Sequence, residues 1–222
     1  MQQRIGLPMG TNCSPFMANL VLFMYELEYF VEEISKCEVW HCDSPGHELQ
    51  HQHDRIRRLA FCTRYIDDLW NPLVSANEFK TVVKAIYPSW LELGLEHKGE
   101  TVNYLDMTIW NKDKKWHSKL YDKKLGMIAK GLKLNRFPHP CSKLAERCKY
   151  GVITSQLHRY NVVCTGNQYF IEPALSLYAA YIKKGYVVNT IDKYFEKFIR
   201  SYRPSMKPNA IKVKWQFTKK GS

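Results

Sequence analysis

Leu20, Met24, Leu27, Val31 and Ile34 recur at helical spacing, with Glu26, Glu28, Glu32 and Glu33 between them. This pattern predicts a helix over about 15–36. Ser14 is placed to cap it, and Pro15 suits the first helical position. Residues 37–54, CEVWHCDSPGHELQHQHD, break the pattern and read as a polar loop or insertion. Two runs rich in aromatic and branched residues, RRLAFCTRYI and LWNPLV, then read as strands. Only Asp67 and Asp68 separate them, which predicts a tight hairpin with both acids at its tip. Pro72 cannot donate to a ladder, so the second strand is expected to be an edge or bulged there. Phe79, Val82, Val83 and Ile86 mark a helix over 76–88. LELGLEHKGETVNYLDMTIW and WHSKLYDKKLG read as strands joined by a charged turn, NKDKK.

From about residue 140 the period turns helical. Leu144, Cys148 and Val152 form one stripe, and Phe170, Ala174, Leu177 and Tyr181 a second that stops at Lys183, Lys184 and Gly185. Ile191, Phe195, Phe198 and Tyr202 form a third, after a cap expected at Asn189. The pattern predicts an α+β protein. Strands and helices mix over residues 1–125, helices dominate 126–203, and a basic tail fills 204–222.

Composition sharpens this picture. Of 222 residues, 45% are apolar, enough for a sizeable core. The net charge of +12 points to a polyanion, either nucleic acid or an acidic membrane surface. The longest apolar stretch, FMANLVLFMY, is too short to span a bilayer, so no membrane partner is expected. Seven scattered cysteines match no disulfide framework and read as reduced thiols of an intracellular protein. Cys37, His41, Cys42, His47, His51 and His53 include zinc-ligand types, but their spacing fits no zinc motif and a polar surface insertion is the favoured reading. The stretch from Lys197 to Ser222 holds eight Lys or Arg and no acid. Trp215 and Phe217 sit there among Lys212, Lys214, Lys219 and Lys220, a pattern that suits base stacking with phosphate neutralisation and equally a solvated basic tail.

Adjacent carboxylates repel and are costly to bury unpaired. A divalent cation removes that repulsion, and a hairpin tip presents both oxygens to one. An ordinary Asp-rich turn explains a lone pair of acids equally well, so the surrounding residues decide.

YIDD matches the Tyr-x-Asp-Asp signature of reverse transcriptases, and GLPMGTNCSPFMANL resembles the segment that precedes it in that family. The helix at 76–88 followed by LGLEHKGETVNYLDMTI resembles later palm elements, with Leu105, Asp106, Met107 and Ile109 where the primer-grip hairpin is expected. Asp106 is expected to be structural. NRFPHPCSKLAERCKYGVITSQLHRY resembles the thumb-side region of retroelement enzymes of Penelope-like type and, more distantly, telomerase, resting on His139, Pro140, Lys143 and Arg159. The resemblance spans about residues 4–200. It implies a partial polymerase palm of antiparallel strands with packed helices, followed by a mainly helical thumb.

The resemblance also implies an RNA-directed DNA polymerase working by two-metal nucleotidyl transfer on an RNA template, a DNA primer and dNTPs, with magnesium as cofactor and manganese as the alternative. Asp67 and Asp68 would be the catalytic metal ligands. Tyr65, Pro8, Met9, Gly10, Leu105 and Met107 would border nucleotide or primer. Lys143, Arg159, Lys212, Lys214 and Trp215 would bind nucleic acid, and retroelement kinship implies a nuclear location. The family's palm supplies another metal-binding Asp upstream of the GLPMG segment, and no acid precedes Gly6 here. The expectation is therefore the second half of a palm plus a thumb, inactive alone, with an N-terminal palm and fingers segment as a partner. A nucleic-acid-binding remnant and a subunit completing a split polymerase are the alternatives.

Overall fold

The computed structural model describes residues 13–39, 46–122, 131 and 137–220. The chain is α+β. Its described residues form seven helices and two small antiparallel sheets, and they divide into two compact units between Lys98 and Gly99. No helix among them is long and apolar enough to cross a membrane.

The first unit contains α1 (Ser14–Val39), α2 (Gly46–Ala60), the ribbon of β1 (Thr63–Tyr65) and β2 (Asp68–Trp70), and α3 (Ala76–Ile86). The expected helix is present. The insertion reading is corrected over 46–54, which belongs to α2, and RRLA is that helix's last turn instead of strand. Ile56 and Leu59, three apart, are buried, which gives an otherwise polar sequence one inward face. Ser75 caps α3 by accepting the Glu78 amide, at 3.2 Å. Val82, Val83 and Tyr87 are buried as well, as is Cys37 near the end of α1.

The orientation of α1 reverses the usual amphipathic arrangement. Leu20, Met24, Leu27, Val31 and Ile34 are 43–56% exposed, whereas Glu33 is buried and Glu26 is largely so. The carboxylates turn inward because cations wait there. Glu33 pairs with Arg55 at 3.2 Å and with Lys36 at 2.9 Å, and Glu26 pairs with Arg64 at 2.7 Å.

The second unit begins with a meander of β3 (Thr101–Tyr104), β4 (Met107–Lys112) and β5 (Lys115–Leu120). The expected single strand over 91–110 is corrected. Residues 91–98 are irregular, and the chain reverses at Leu105–Asp106, where Leu105 takes φ +53. A second reversal at Asp113–Lys114 falls within the predicted charged turn. Four helices follow: α4 (Glu146–Val163), α5 (Asn167–Lys183), α6 (Val188–Tyr202) and α7 (Ala210–Lys220).

The core of the second unit is helical. Phe170, Tyr178, Tyr181, Ile153, Leu157, Leu177, Ile191, Ile199 and Ile211 are fully buried, and burial of each aliphatic or Phe side chain among them stabilises by about 1.5–3 kcal/mol relative to exposure. The expected faces of α5 and α6 are buried except Tyr202, which is half exposed. The α4 stripe is corrected: Tyr150, Ile153, Leu157 and Tyr160 face inward, while Leu144 and Cys148 are exposed. Helix α6 starts at Val188, one residue before the expected cap. The basic tail contributes α7, whose Ile211 enters the core.

Two anchors hold this unit together. Arg203 donates to the Asn161 side chain at 2.6 Å, the Asn167 side chain at 3.1 Å, and the carbonyls of Asn161 and Cys164 at 3.1 and 2.9 Å. It lies over the Phe170 ring at 4.9 Å, so one guanidinium ties the α4–α5 turn to the end of α6. That turn also covers the open edge of β5: Thr165 N donates to Ser118 O at 3.2 Å, and Ser118 N to Thr165 Oγ1 at 3.1 Å.

Candidate functional site

The hairpin register pairs Thr63 with Trp70, Arg64 with Leu69, and Tyr65 with Asp68. The reversal therefore falls on Ile66 and Asp67, and Asp68 opens β2, which shifts the expected tip by one residue. Ile66 takes φ +55. A β-branched residue in this left-handed region is strained, and such strain persists only where the surroundings impose it.

Cross-strand partners share a face, so Tyr65 and Asp68 lie on one side of the ribbon and Arg64 and Leu69 on the other. Arg64 turns toward α1. Its Nε donates to Glu26 Oε1 at 2.7 Å and its Nη1 to Asn19 Oδ1 at 2.5 Å. Its Nη2 reaches the Asn19 carbonyl at 3.2 Å and Glu26 Oε2 at 3.4 Å. Tyr87 donates its hydroxyl to the same Glu26 carboxylate. Burial first, and then that bond, push the Tyr87 hydroxyl well above the usual phenol range. Cys62, just before β1, is pushed up to about 11 by burial first and then by the charge of Glu26. Asn71 fixes the exit from the ribbon by donating to the carbonyls of Arg58 and Leu59, at 3.0 and 3.3 Å.

This arrangement leaves the acids alone. The cation nearest to them in sequence is already engaged on the opposite face. Asp67 is exposed and Asp68 half-buried, and neither makes an ion pair or side-chain hydrogen bond among the described residues. Tyr65 is 57% exposed beside Asp68.

Among the described residues, no group of three or more His, Cys, Asp or Glu side chains converges as a metal-ligand set. The donor set at the ribbon is two hard carboxylates. That suits magnesium, which keeps several waters and takes one or two carboxylates plus substrate phosphates. Zinc prefers imidazole and thiolate donors and does not suit it. His51 and His53 are exposed on α2 and Cys37 is buried, while His41 and Cys42 lie outside the described residues.

The remaining expected site residues are dispersed. Pro8, Met9 and Gly10 lie outside the described residues. In the second unit, Leu105 forms the β3–β4 turn and Met107 packs against the helical core. Asp106 pairs with Arg159 at 2.7 Å, and its carbonyl accepts from Tyr121 N at 2.7 Å. Lys212 pairs with buried Asp192 at 2.7 Å, which also accepts the Tyr178 hydroxyl at 2.7 Å. Trp215 leans on the core, with its ring 6.3 Å from Tyr178. Lys143 and Lys214 are exposed.

Sequence reasoning passed over Arg64, although strand alternation signals it: if Tyr65 and Asp68 face out, Arg64 faces in and needs an acid. Arg203 carried no such signal, because its partners are side-chain amides and carbonyls scattered over residues 161–167.

Compared with protein-family models, with curated proteins and with solved structures, the chain finds no match.

Proposed function

We propose that the chain carries the metal-binding hairpin of a reverse-transcriptase-type palm together with a thumb-like helical unit, acting in RNA-templated DNA synthesis. The supporting observation is the unpartnered Asp67–Asp68 pair on a strained reversal, with Arg64 held on the opposite face. The GLPMG and YIDD segments, in that order around a long helix, supply the family reading.

In this reading Asp67 and Asp68 would hold magnesium at the end of the ribbon. The chemistry such a cation supplies is activation of the attacking hydroxyl and neutralisation of the leaving phosphate oxygens. The chain's own contribution is placement. Arg64, Glu26 and Asn19 fix the ribbon on α1, so the carboxylates stay oriented without reorganisation. Tyr65 would touch the primer or the nucleotide; Pro8, Met9 and Gly10, which the resemblance sets at the nucleotide pocket, lie outside the described residues. Alignment of the primer hydroxyl then carries much of the rate.

Primer extension on an RNA template with magnesium tests the activity. It compares this chain, the chain fused behind a supplied N-terminal palm and fingers segment, and Asp67→Asn in both. The expected result is extension in the longer form, abolished by Asp67→Asn. Absence of extension in both forms contradicts the polymerase reading.

A second reading is favoured by α1. Its exposed Leu20, Met24, Leu27, Val31 and Ile34 form a long apolar face, larger than isolated surface residues explain. The same hairpin would then serve within a polymerase assembled from two chains, and mixing this chain with a separately expressed upstream segment would restore extension.

A further inference from the structure

The β4–β5 ribbon extends past the sheet it belongs to. Pairing with β3 stops at the Thr101–Trp110 pair, so residues 111–116 extend as a two-stranded tip with no third strand among the described residues. All six of these residues, Asn111, Lys112, Asp113, Lys114, Lys115 and Trp116, are exposed. Two features of the tip are costly for a purely structural turn, and a third sets an aromatic ring beside them. Lys112 and Lys115 are direct cross-strand partners, an arrangement of like charges that destabilises a ribbon. Lys114 takes φ +58, where glycine is unstrained and a lysine is not. Trp116 holds a large aromatic ring 47% exposed beside them.

A polyanion answers the first two features and an unstacked base the third. The wider electrostatics agree. Residues 99–222 contain 24 Lys or Arg against 8 Asp or Glu, a net of +16, whereas residues 1–98 contain 9 against 13, a net of −4. The tip therefore projects from the basic unit, where long-range attraction of a polynucleotide is strongest.

We propose that the Asn111–Trp116 tip is a binding arm for single-stranded nucleic acid. Lys112, Lys114 and Lys115 neutralise backbone phosphates, and Trp116, on the opposite ribbon face from Lys112 and Lys115, stacks on a base as the strand crosses the tip. The inference rests on the proposed function only for the class of partner; it requires no metal and no chemistry at Asp67.

The test is fluorescence anisotropy of labelled oligo(dT) with the full chain in EDTA, titrated at several salt concentrations. Replacing Lys112, Lys114 and Lys115 with Gln is expected to reduce the log–log salt slope by about 2, at about 0.7 per single-strand phosphate contact. Trp116→Ala is expected to weaken binding about 5- to 150-fold and Trp116→Phe far less. Lys114→Gly separates binding from folding: it relieves the turn, so thermal stability holds or rises while affinity falls. The triple Gln variant at Lys193, Lys197 and Arg200 of α6 serves as the comparison. Binding by the ribbon variants with the parent's slope, loss confined to the α6 variant, or stronger competition by duplex than by single strand would each overturn the arm. The binding assay contains no divalent ion and leaves Asp67 and Asp68 unchanged, so failure of the arm and failure of the metal reading are distinguishable.

Discussion

Arg64 decides what the two acids can do. Its guanidinium is held by Glu26 and Asn19 and is only 14% exposed, so it is unavailable to neutralise Asp67 or Asp68. Arg64→Ala removes that clamp and leaves the Glu26 carboxylate with Tyr87 as its remaining tie. Urea unfolding followed at the first unit should show a loss of about 2–3 kcal/mol. Lysine cannot reproduce the forked contacts, so Arg64→Lys should recover little of that loss. Cys62 gives a pH handle on the same cluster. Its thiol is raised to about 11, so the folded chain keeps the proton that the unfolded chain releases near the ordinary value of 9.0. Its contribution to stability is complete below pH 9 and is lost as pH rises toward 11. Alkylation by iodoacetamide should therefore be slow at Cys62 through pH 9, while exposed Cys13 reacts readily. Equal rates at the two thiols would contradict the burial of Cys62.

At the scale of elements, the turn after α4 is the joint of the second unit. Arg203 gathers two side-chain amides and two carbonyls, so Arg203→Ala should cost about 2–3 kcal/mol and release hydrogen exchange around residues 161–167 before the rest of α5. Unchanged exchange there would show that Thr165 and Ser118 suffice. Legibility from sequence differed by element for physical reasons. Helices α5 and α6 were readable because their inward faces are apolar and regularly spaced, as at Phe170, Ala174, Leu177 and Tyr181. Helix α2 was hidden because its inward face rests on Ile56 and Leu59 within a run of His, Gln and Arg. Helix α1 was legible as a helix but not in its orientation. Inward carboxylates depend on Arg55 and Arg64, which lie more than twenty residues away. The β1–β2 hairpin was legible in position but not in register, and the β3–β4 reversal was hidden inside one expected strand, because the reversals at Ile66 and Leu105 use side chains that ordinarily avoid positive φ.

The whole molecule is electrically divided, with a mildly acidic first unit that bears the Asp pair and a strongly basic second unit. Polynucleotide binding by the intact chain should therefore fall steeply with salt, and its crosslinks should concentrate in residues 99–222. Crosslinks spread evenly over both units would contradict that division of roles. Iron-directed cleavage reports whether Asp67 and Asp68 form a divalent-cation site. Ferrous iron replaces magnesium on the full chain bound to an RNA template and DNA primer, and ascorbate with peroxide generates hydroxyl radicals at the bound ion. The account predicts backbone cuts clustered around residues 65–70, lost in the Asp67→Asn and Asp68→Asn double variant and suppressed by excess magnesium. Cuts absent from that ribbon, or identical in parent and variant, would contradict it.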